Sequence, residues 1–313
     1  MIECLRSVPT PAAIAAEVTE RYGRPVTDCA LIRTYTNDVY AVSCGERRYV
    51  LKLYQQINHH DAWSLDEIAW EQDLAAHVAG AGVPVPRSIP LADGRLAGLL
   101  PAPEGPRPYA LTEFVAGSKP RPPWTDGLFA EYGALIARFH VAAEGLRSDH
   151  DRRDFDLQLT LEEPLAALLP RLADRPGDQH LVSDLAHRAR ENLSGAGLRR
   201  GIRHGDVSLD NIIVGESGLV LHDFDLAGPG WLAADFAMVA SQSKHWDAFA
   251  AGYTRIRELP DRPALPALTI VHLIANLAFL FVEQPALRGT ETLDDPLVDR
   301  ELDSLRQLAG VHS

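Results

Sequence analysis

The residues His204-Gly205-Asp206-Val207-Ser208-Leu209-Asp210-Asn211, followed twelve positions later by Asp223-Phe224-Asp225, constrain this chain more than any other stretch. The pattern H-x-D-x-x-x-x-N holds a carboxylate and an amide on one tight loop, so a proton acceptor and an oxygen ligand for a hard cation face the same small volume. Between the two acidic segments run Asn211-Ile212-Ile213-Val214 and Leu219-Val220-Leu221-His222, joined by Gly215-Glu216-Ser217-Gly218, which is the composition of a β-hairpin. Antiparallel pairing puts Asn211 at the start of one strand and Asp223 just past the end of the other. Transfer of a phosphoryl group to a hydroxyl needs one carboxylate to accept or orient the nucleophile's proton, and further oxygens to hold Mg²⁺ on the nucleotide phosphates. The spacing therefore predicts Asp206 as catalytic base, with Asn211 and Asp223 as catalytic metal ligands.

The run from Arg203 to Ala237, RHGDVSLDNIIVGESGLVLHDFDLAGPGWLAADFA, resembles the aminoglycoside phosphotransferase and choline kinase-like superfamily of small-molecule kinases, whose pattern is HGDxxxxN followed by a D-F-D/E turn. Gly205 stands where protein kinases carry Arg. The segment Gly228–Ala237 resembles the family's G-x-x-x-x-D-L-A element, in which the Asp, here Asp235, anchors a C-lobe helix. The resemblance covers about residues 30 to 240. It implies an α+β, protein-kinase-like two-lobe fold, with an antiparallel sheet and one helix in an N-lobe over residues 1–116 and a larger, mainly helical C-lobe over 117–313. It also implies ATP or GTP and Mg²⁺ as cofactors, and a small hydroxyl compound as acceptor: an aminoglycoside-like antibiotic, an amino alcohol, homoserine or a sugar. Two further readings stand beside it, a kinase for Ser/Thr of a peptide or protein and a nucleotide-binding pseudokinase that serves as an interaction module. The joint presence of Asp206, Asn211, Asp223 and Lys52 argues against the pseudokinase.

The N-terminal third supplies the matching nucleotide residues. Ala30–Ser43 and Arg47–Tyr54 are β-rich and separated by Cys44-Gly45-Glu46, and the second run carries Lys52 inside an apolar strand. A half-buried lysine must be paired, and the resemblance implies that Lys52 contacts the α/β-phosphates of the nucleotide. Residues Ala62–Ala79 have helical composition, with Glu67 and Glu71 four apart on one face. Either could reach Lys52; the family's spacing to Val83-Pro84-Val85-Pro86 selects Glu71. No G-x-G-x-x-G is present. The turn Thr34-Tyr35-Thr36-Asn37-Asp38-Val39-Tyr40 resembles the G-x-x-N-x-h-Y turn of small-molecule kinases, so Thr36 and Asn37 are expected to bind phosphate oxygens. Leu111–Gly117 is expected to connect the lobes, with backbone groups of Glu113, Phe114 and Val115 accepting adenine. Pro-rich Pro101–Pro108 reads as a loop, and Leu128–Ala143 as a helix.

A chain of 313 residues can bury a large core, and its net charge of −13 argues against binding a nucleic-acid backbone. Met1–Val18 shows no basic start followed by an apolar core, so a cytoplasmic protein is expected. Ala264–Val282 is nearly continuous apolar sequence, but Pro266, His272 and Asn276 interrupt it without a flanking basic cluster; this predicts a buried helix rather than a membrane span. His272 and Asn276, four apart, are expected to satisfy each other in the core. Cys4, Cys29 and Cys44 lack any zinc or disulfide spacing, and the doublet His59-His60 reads as solvated. From Glu283 to Asp303 the acids Glu283, Glu291, Asp294, Asp295, Asp299, Glu301 and Asp303 face only Arg288 and Arg300, which favours a cationic acceptor.

Overall fold

The computed structural model describes residues 4–55, 63–289 and 296–310; His59-His60 and the acids Glu291, Asp294 and Asp295 lie outside the described residues. The chain divides into two compact units, residues 1–120 with 145–152 and 212–224, and residues 121–144 with 153–211 and 225–313.

The first unit is built on a five-stranded antiparallel sheet. Its strands are β1 (Asp28–Thr34), β2 (Asn37–Cys44), β3 (Arg47–Tyr54), β4 (Gly98–Leu100) and β5 (Arg107–Glu113), in the order β1-β2-β3-β5-β4. Alternation along β2 and β3 turns Tyr40, Val42, Tyr49, Leu51 and Leu53 to one face. There they join Ile14, Val18 and Tyr22 of helix α1 (Pro11–Tyr22) in one apolar cluster. Each such side chain contributes about 1.5–3 kcal/mol when fully buried. Helix α2 (Leu65–Gly80) covers the other face, where Ile68 and Ala69 pack with Tyr54 and Ala110. Its start lies three residues beyond the expected one, because Ser64 and Glu67 form a reciprocal capping box. The expected loop Pro101–Pro108 is shorter than its proline content suggested. Pro108 pairs with Leu99, and β3 meets β5 only from Tyr109 onward, so the missing proline N–H costs no ladder bond. The expected hairpin forms as β7 (Ile212–Gly215) and β8 (Gly218–Leu221), with Ile212 opposite Leu221, and is tied down by Leu221 N donating to Pro84 O at 2.9 Å.

The second unit is mainly helical. A two-stranded pair, β6 (Arg200–Arg203) with β9 (Gly228–Trp231), sits among α3 (Asp126–Ala143), α4 (Glu163–Leu168), α5 (Pro176–Leu193), α6 (Ala237–Gln242), α7 (Trp246–Thr254), α8 (Leu265–Ala278), α9 (Gln284–Arg288) and α10 (Pro296–Ala309). Helices α3 and α7 approach so closely at Gly252 that a Cβ there would stand 1.9 Å from Ala130 O. The helical stretch 262–287 is the one among the described residues long and apolar enough to cross a membrane, yet 67% of its apolar window is buried inside the fold. It serves as the core helix: Leu268, Ile270, Leu273, Ile274 and Leu277 are all buried. On its half-buried side Asn276 Nδ2 donates to His272 Nε2 at 3.0 Å. Burial, helped by the charge of Arg203, pulls the His272 pKa down to about 4, which keeps the imidazole neutral and able to accept that bond.

The described acids of the run 283–303 differ in exposure. The acids of α10 do not form a single solvated face, because the helical period puts Glu301 beside Val298, Leu302 and Leu305 on the buried side, where it is 4% exposed. Asp303 pairs with Arg306 at 2.5 Å and Asp299 with Arg175 at 3.3 Å. Asp299 and Asp303 are thus already paired within the fold.

Candidate active site

The loop bearing Asp206 is fixed by its own backbone before any ligand is considered. Asp235 lies at the end of a 3₁₀ turn, Leu232–Phe236, and is 3% exposed. Its two carboxylate oxygens accept from the backbone N–H groups of His204 and Gly205, each at 2.7 Å, and Oδ2 also contacts His140 Nε2 at 2.9 Å. The opposite nitrogen of His140 meets Tyr253 OH at 2.9 Å. Burial pushes the Asp235 carboxyl up, but the hydrogen bond and charge of His140, with His204 and Arg203, outweigh it and hold the pKa below its ordinary value. The resemblance assigned Asp235 to anchoring a helix; its contacts anchor the loop His204–Asn211 as well.

Gly205 is required by the same geometry. Its φ is +86°, and a Cβ would stand 2.0 Å from Leu226 O. Beyond it, Tyr132 OH donates to Ser208 O at 2.9 Å, and a short 3₁₀ turn, Leu209–Asn211, brings the asparagine back over the loop. Asn211 Nδ2 donates to Asp206 Oδ2 at 2.7 Å and to Asp206 O at 3.0 Å. Both amide donors therefore point at Asp206, which leaves the amide oxygen of Asn211 as the group available to a cation.

The first unit carries the other residues. Lys52 Nζ lies 2.6 Å from Asp223 Oδ1, and Asp223 adopts φ +68°, a left-handed conformation that a carboxylate side chain tolerates better than most. Glu71, 4% exposed, accepts from Tyr54 OH at 2.7 Å. Burial pushes its carboxyl up against the opposing pull of Lys52 and Arg152. Glu67 is committed elsewhere: its Oε2 takes the backbone N–H of Ser64 at 3.2 Å in the helix cap. In the β1–β2 turn Asn37 is 3% exposed, with Oδ1 accepting from Gln55 N at 3.2 Å, while Thr36 is half-buried. The Glu113 N–H goes to Arg87 O at 2.9 Å and the Phe114 N–H to Arg48 O at 3.1 Å. Among the described residues the Val115 N–H has no backbone partner of this kind.

The carboxylate of Asp223 and the amide oxygen of Asn211 are hard donors of the kind Mg²⁺ takes. Among the described residues there is no cluster of three or more His, Cys, Asp or Glu able to hold a metal ion by itself. A cation bound through either donor would complete its shell with nucleotide phosphates and water.

Sequence reasoning did not find Tyr54, Tyr132 or His140, the residues that hold Glu71, the loop His204–Asn211 and Asp235. Tyr54 alone left a trace, as the apolar end of the strand that carries Lys52. The other two are aromatic residues of an ordinary amphipathic helix, and only tertiary contact gives them a polar role.

Comparison with known proteins agrees with these features. Residues 29–268 match the family model APH, described as the phosphotransferase enzyme family. An uncharacterized protein of Deinococcus radiodurans is 35% identical over 98% of this chain and 92% of its own length. A homoserine kinase of Neisseria meningitidis serogroup B is 27% identical over 72% of each chain. The solved structure of a microcompartment-associated aminopropanol kinase superposes with a TM-score of 0.77, at 22% identity, covering 96% of this chain and 98% of that one. The antiparallel N-terminal sheet, the helical C-terminal region and the HGDxxxxN loop are those of the aminoglycoside phosphotransferase and choline kinase-like superfamily, and the chain is a member of this phosphotransferase family.

Proposed function

We propose that the protein is an ATP- and Mg²⁺-dependent phosphotransferase that moves the γ-phosphoryl group to a hydroxyl of a small molecule. The observation that carries this reading is the 2.7 Å bond by which Asn211 holds Asp206, on a loop whose two preceding N–H groups are clamped by Asp235. A carboxylate so fixed can receive a proton without reorganising. The acceptor oxygen attacks the γ-phosphorus, the bond from that phosphorus to the β-bridging oxygen breaks, ADP leaves, and Asp206 takes the hydroxyl proton. Lys52, with Glu71 behind it, sets the α/β-phosphates, and Asn211 and Asp223 are the residues that would hold Mg²⁺. The metal's contribution is to neutralise charge on the phosphate oxygens. Thr36 and Asn37 shape the turn over the phosphates, and Glu113, Phe114 and Val115 form the edge for the purine.

A cationic amino alcohol is the acceptor class we favour. The net charge of −13 attracts cations, and the relatives act, by name, on homoserine and on aminopropanol. The test is a panel of amino alcohols, homoserine, aminoglycosides, neutral sugars and Ser/Thr peptides, with ATP or GTP as donor and product mass as readout. Phosphorylation confined to amine-bearing small molecules supports the assignment. A phosphopeptide as the sole product would make it a protein kinase, and nucleotide binding without transfer to any acceptor would make it an interaction module.

A further inference from the structure

The β1–β2 pair contains an irregularity that changes which face one arginine occupies. Leu31 pairs with Tyr40, but the register shifts before Arg33, which pairs with Val39 instead of Asp38. A one-residue slip turns a side chain to the opposite face of the sheet. Without the shift Arg33 would share the face of Tyr40, which is packed against α1. With it, Arg33 falls in the cross-strand row Arg33, Val39, Lys52, because Val39 pairs with Lys52 across β2 and β3. Residues directly opposite in an antiparallel sheet share a face. The bulge therefore places an arginine two strands away from Lys52 on the side where Lys52 works.

The two cations converge on one carboxylate. Lys52 Nζ is 2.6 Å from Asp223 Oδ1, and Arg33 Nη2 is 4.0 Å from Asp223 Oδ2. The second distance is an ion pair without a hydrogen bond, and the Arg33 fork makes no hydrogen bond among the described residues. Its donors lie near the carboxylate without a hydrogen bond to it.

The turn beside Arg33 explains why such a donor is wanted. Phosphate-covering loops commonly cradle the anion with successive backbone N–H groups, which requires left-handed or glycine residues. Between Arg24 and Cys44 there is no glycine and no residue with positive φ. The Tyr35 N–H is already taken by Asn37 O at 3.1 Å. The base of the turn is held by Asp38, 0% exposed, which accepts from Arg107 at 2.7 Å and from Arg6 at 2.6 Å. Such a turn offers few backbone donors, but it is rigid enough to hold a side chain in place.

We infer that Arg33 is a phosphate-binding residue: its guanidinium takes the terminal phosphates of the nucleotide directly and replaces the backbone cradle that this turn does not form. The inference rests on the kinase reading above. A planar fork matches phosphate oxygens bidentately, which an ammonium cannot do.

The test is calorimetric binding of ATP and AMP to wild type, Arg33→Gln and Arg33→Lys, in EDTA and again with Mg²⁺. Arg33 has 56% of its side chain exposed, so the variants should keep the wild-type melting midpoint, which is measured alongside. A charge-assisted hydrogen bond is equivalent to roughly a ten- to hundredfold change in affinity. Arg33→Gln should lose that factor for ATP in EDTA as well as in Mg²⁺, Arg33→Lys should recover part of it, and AMP should change by less than about twofold on the same scale. Equal losses for ATP and AMP, no loss, or a loss seen only with Mg²⁺ would reduce Arg33 to a counterion of Asp223 and overturn the inference. A wild-type protein that binds neither ATP nor GTP would instead overturn the kinase reading, and the inference with it.

Discussion

Replacing Asp235 by Asn separates the anchoring of the catalytic loop from its chemistry. The wild-type carboxylate accepts three hydrogen bonds, from the N–H groups of His204 and Gly205 at 2.7 Å and from His140 at 2.9 Å. Asparagine keeps one oxygen, enough for the Gly205 N–H, but its amide nitrogen then faces the His204 N–H. A buried backbone donor left without a partner costs about 1–3 kcal/mol, and the lost charged bond to His140 another 1.5–3 kcal/mol or so. The sum, about 2.5–6 kcal/mol, is a large fraction of the roughly 5–15 kcal/mol that holds a domain folded. Urea unfolding followed by tryptophan fluorescence reads it as a lower midpoint at unchanged slope. A pH series adds an independent check. The folded pKa of Asp235 lies below its ordinary value of 3.8, so the carboxylate's contribution is complete above that pH and is lost as pH falls through the folded value. Wild-type stability should therefore drop below about pH 4 more steeply than that of the variant. A loss below about 1 kcal/mol, the size of an ordinary substitution, would show that Asp235 does not anchor the loop.

Other expectations follow from the same contacts. Gly205→Ala must relieve a 2.0 Å approach to Leu226 O and a φ of +86°, so turnover should fall by roughly five- to 150-fold on the scale of about 1–3 kcal/mol of backbone strain; unchanged turnover would mean that the loop moves freely. His272 is held neutral with a pKa near 4, against 6.5 ordinarily, so wild-type stability should decline as pH falls from 6.5 toward 4 while the unfolded chain takes up the proton; His272→Gln should lack that decline, and identical pH profiles would contradict the burial. Lys52→Met and Glu71→Gln should both weaken ATP affinity, whereas Glu67→Gln, which preserves the capping box, should be silent; a damaging Glu67→Gln beside a silent Glu71→Gln would reverse the assignment.

What the sequence made legible was whatever depends on short spacing. His204, Asp206 and Asn211 announce their loop because all three lie within eight residues, and the apolar runs on either side of Gly215-Glu216-Ser217-Gly218 specify the β7–β8 hairpin. Lys52 was visible as a cation in an apolar strand. Long-range pairing was not visible: nothing local says that Arg107 meets Asp38, 69 residues away, or that His140 meets Asp235, 95 residues away. Helix α1 went unread although Thr10-Pro11 and Gly23 are its natural stops and Ile14, Val18 and Tyr22 recur every four residues. Arg33 was hidden for a different reason. A bulge is set by how two strands fit the sheet, and strict alternation along β1 would have assigned it to the wrong face. Glu301 could have been placed correctly, since its spacing from Val298 and Leu305 already puts it on the buried side of α10.

The central claim is that Asp206 receives the acceptor's proton while Asp223 and Lys52 serve the nucleotide. The most direct measurement compares Asp206→Asn with wild type in two assays on the same preparation: transfer of labelled γ-phosphate to the amino-alcohol acceptor found by the panel, and calorimetric binding of Mg²⁺·ATP. The account predicts that transfer falls by a factor on the order of 10² to 10⁴, the usual contribution of a positioned general base, with nucleotide affinity within a few-fold of wild type. Near-normal transfer, or a loss of transfer that merely follows a lost affinity for Mg²⁺·ATP, would contradict it.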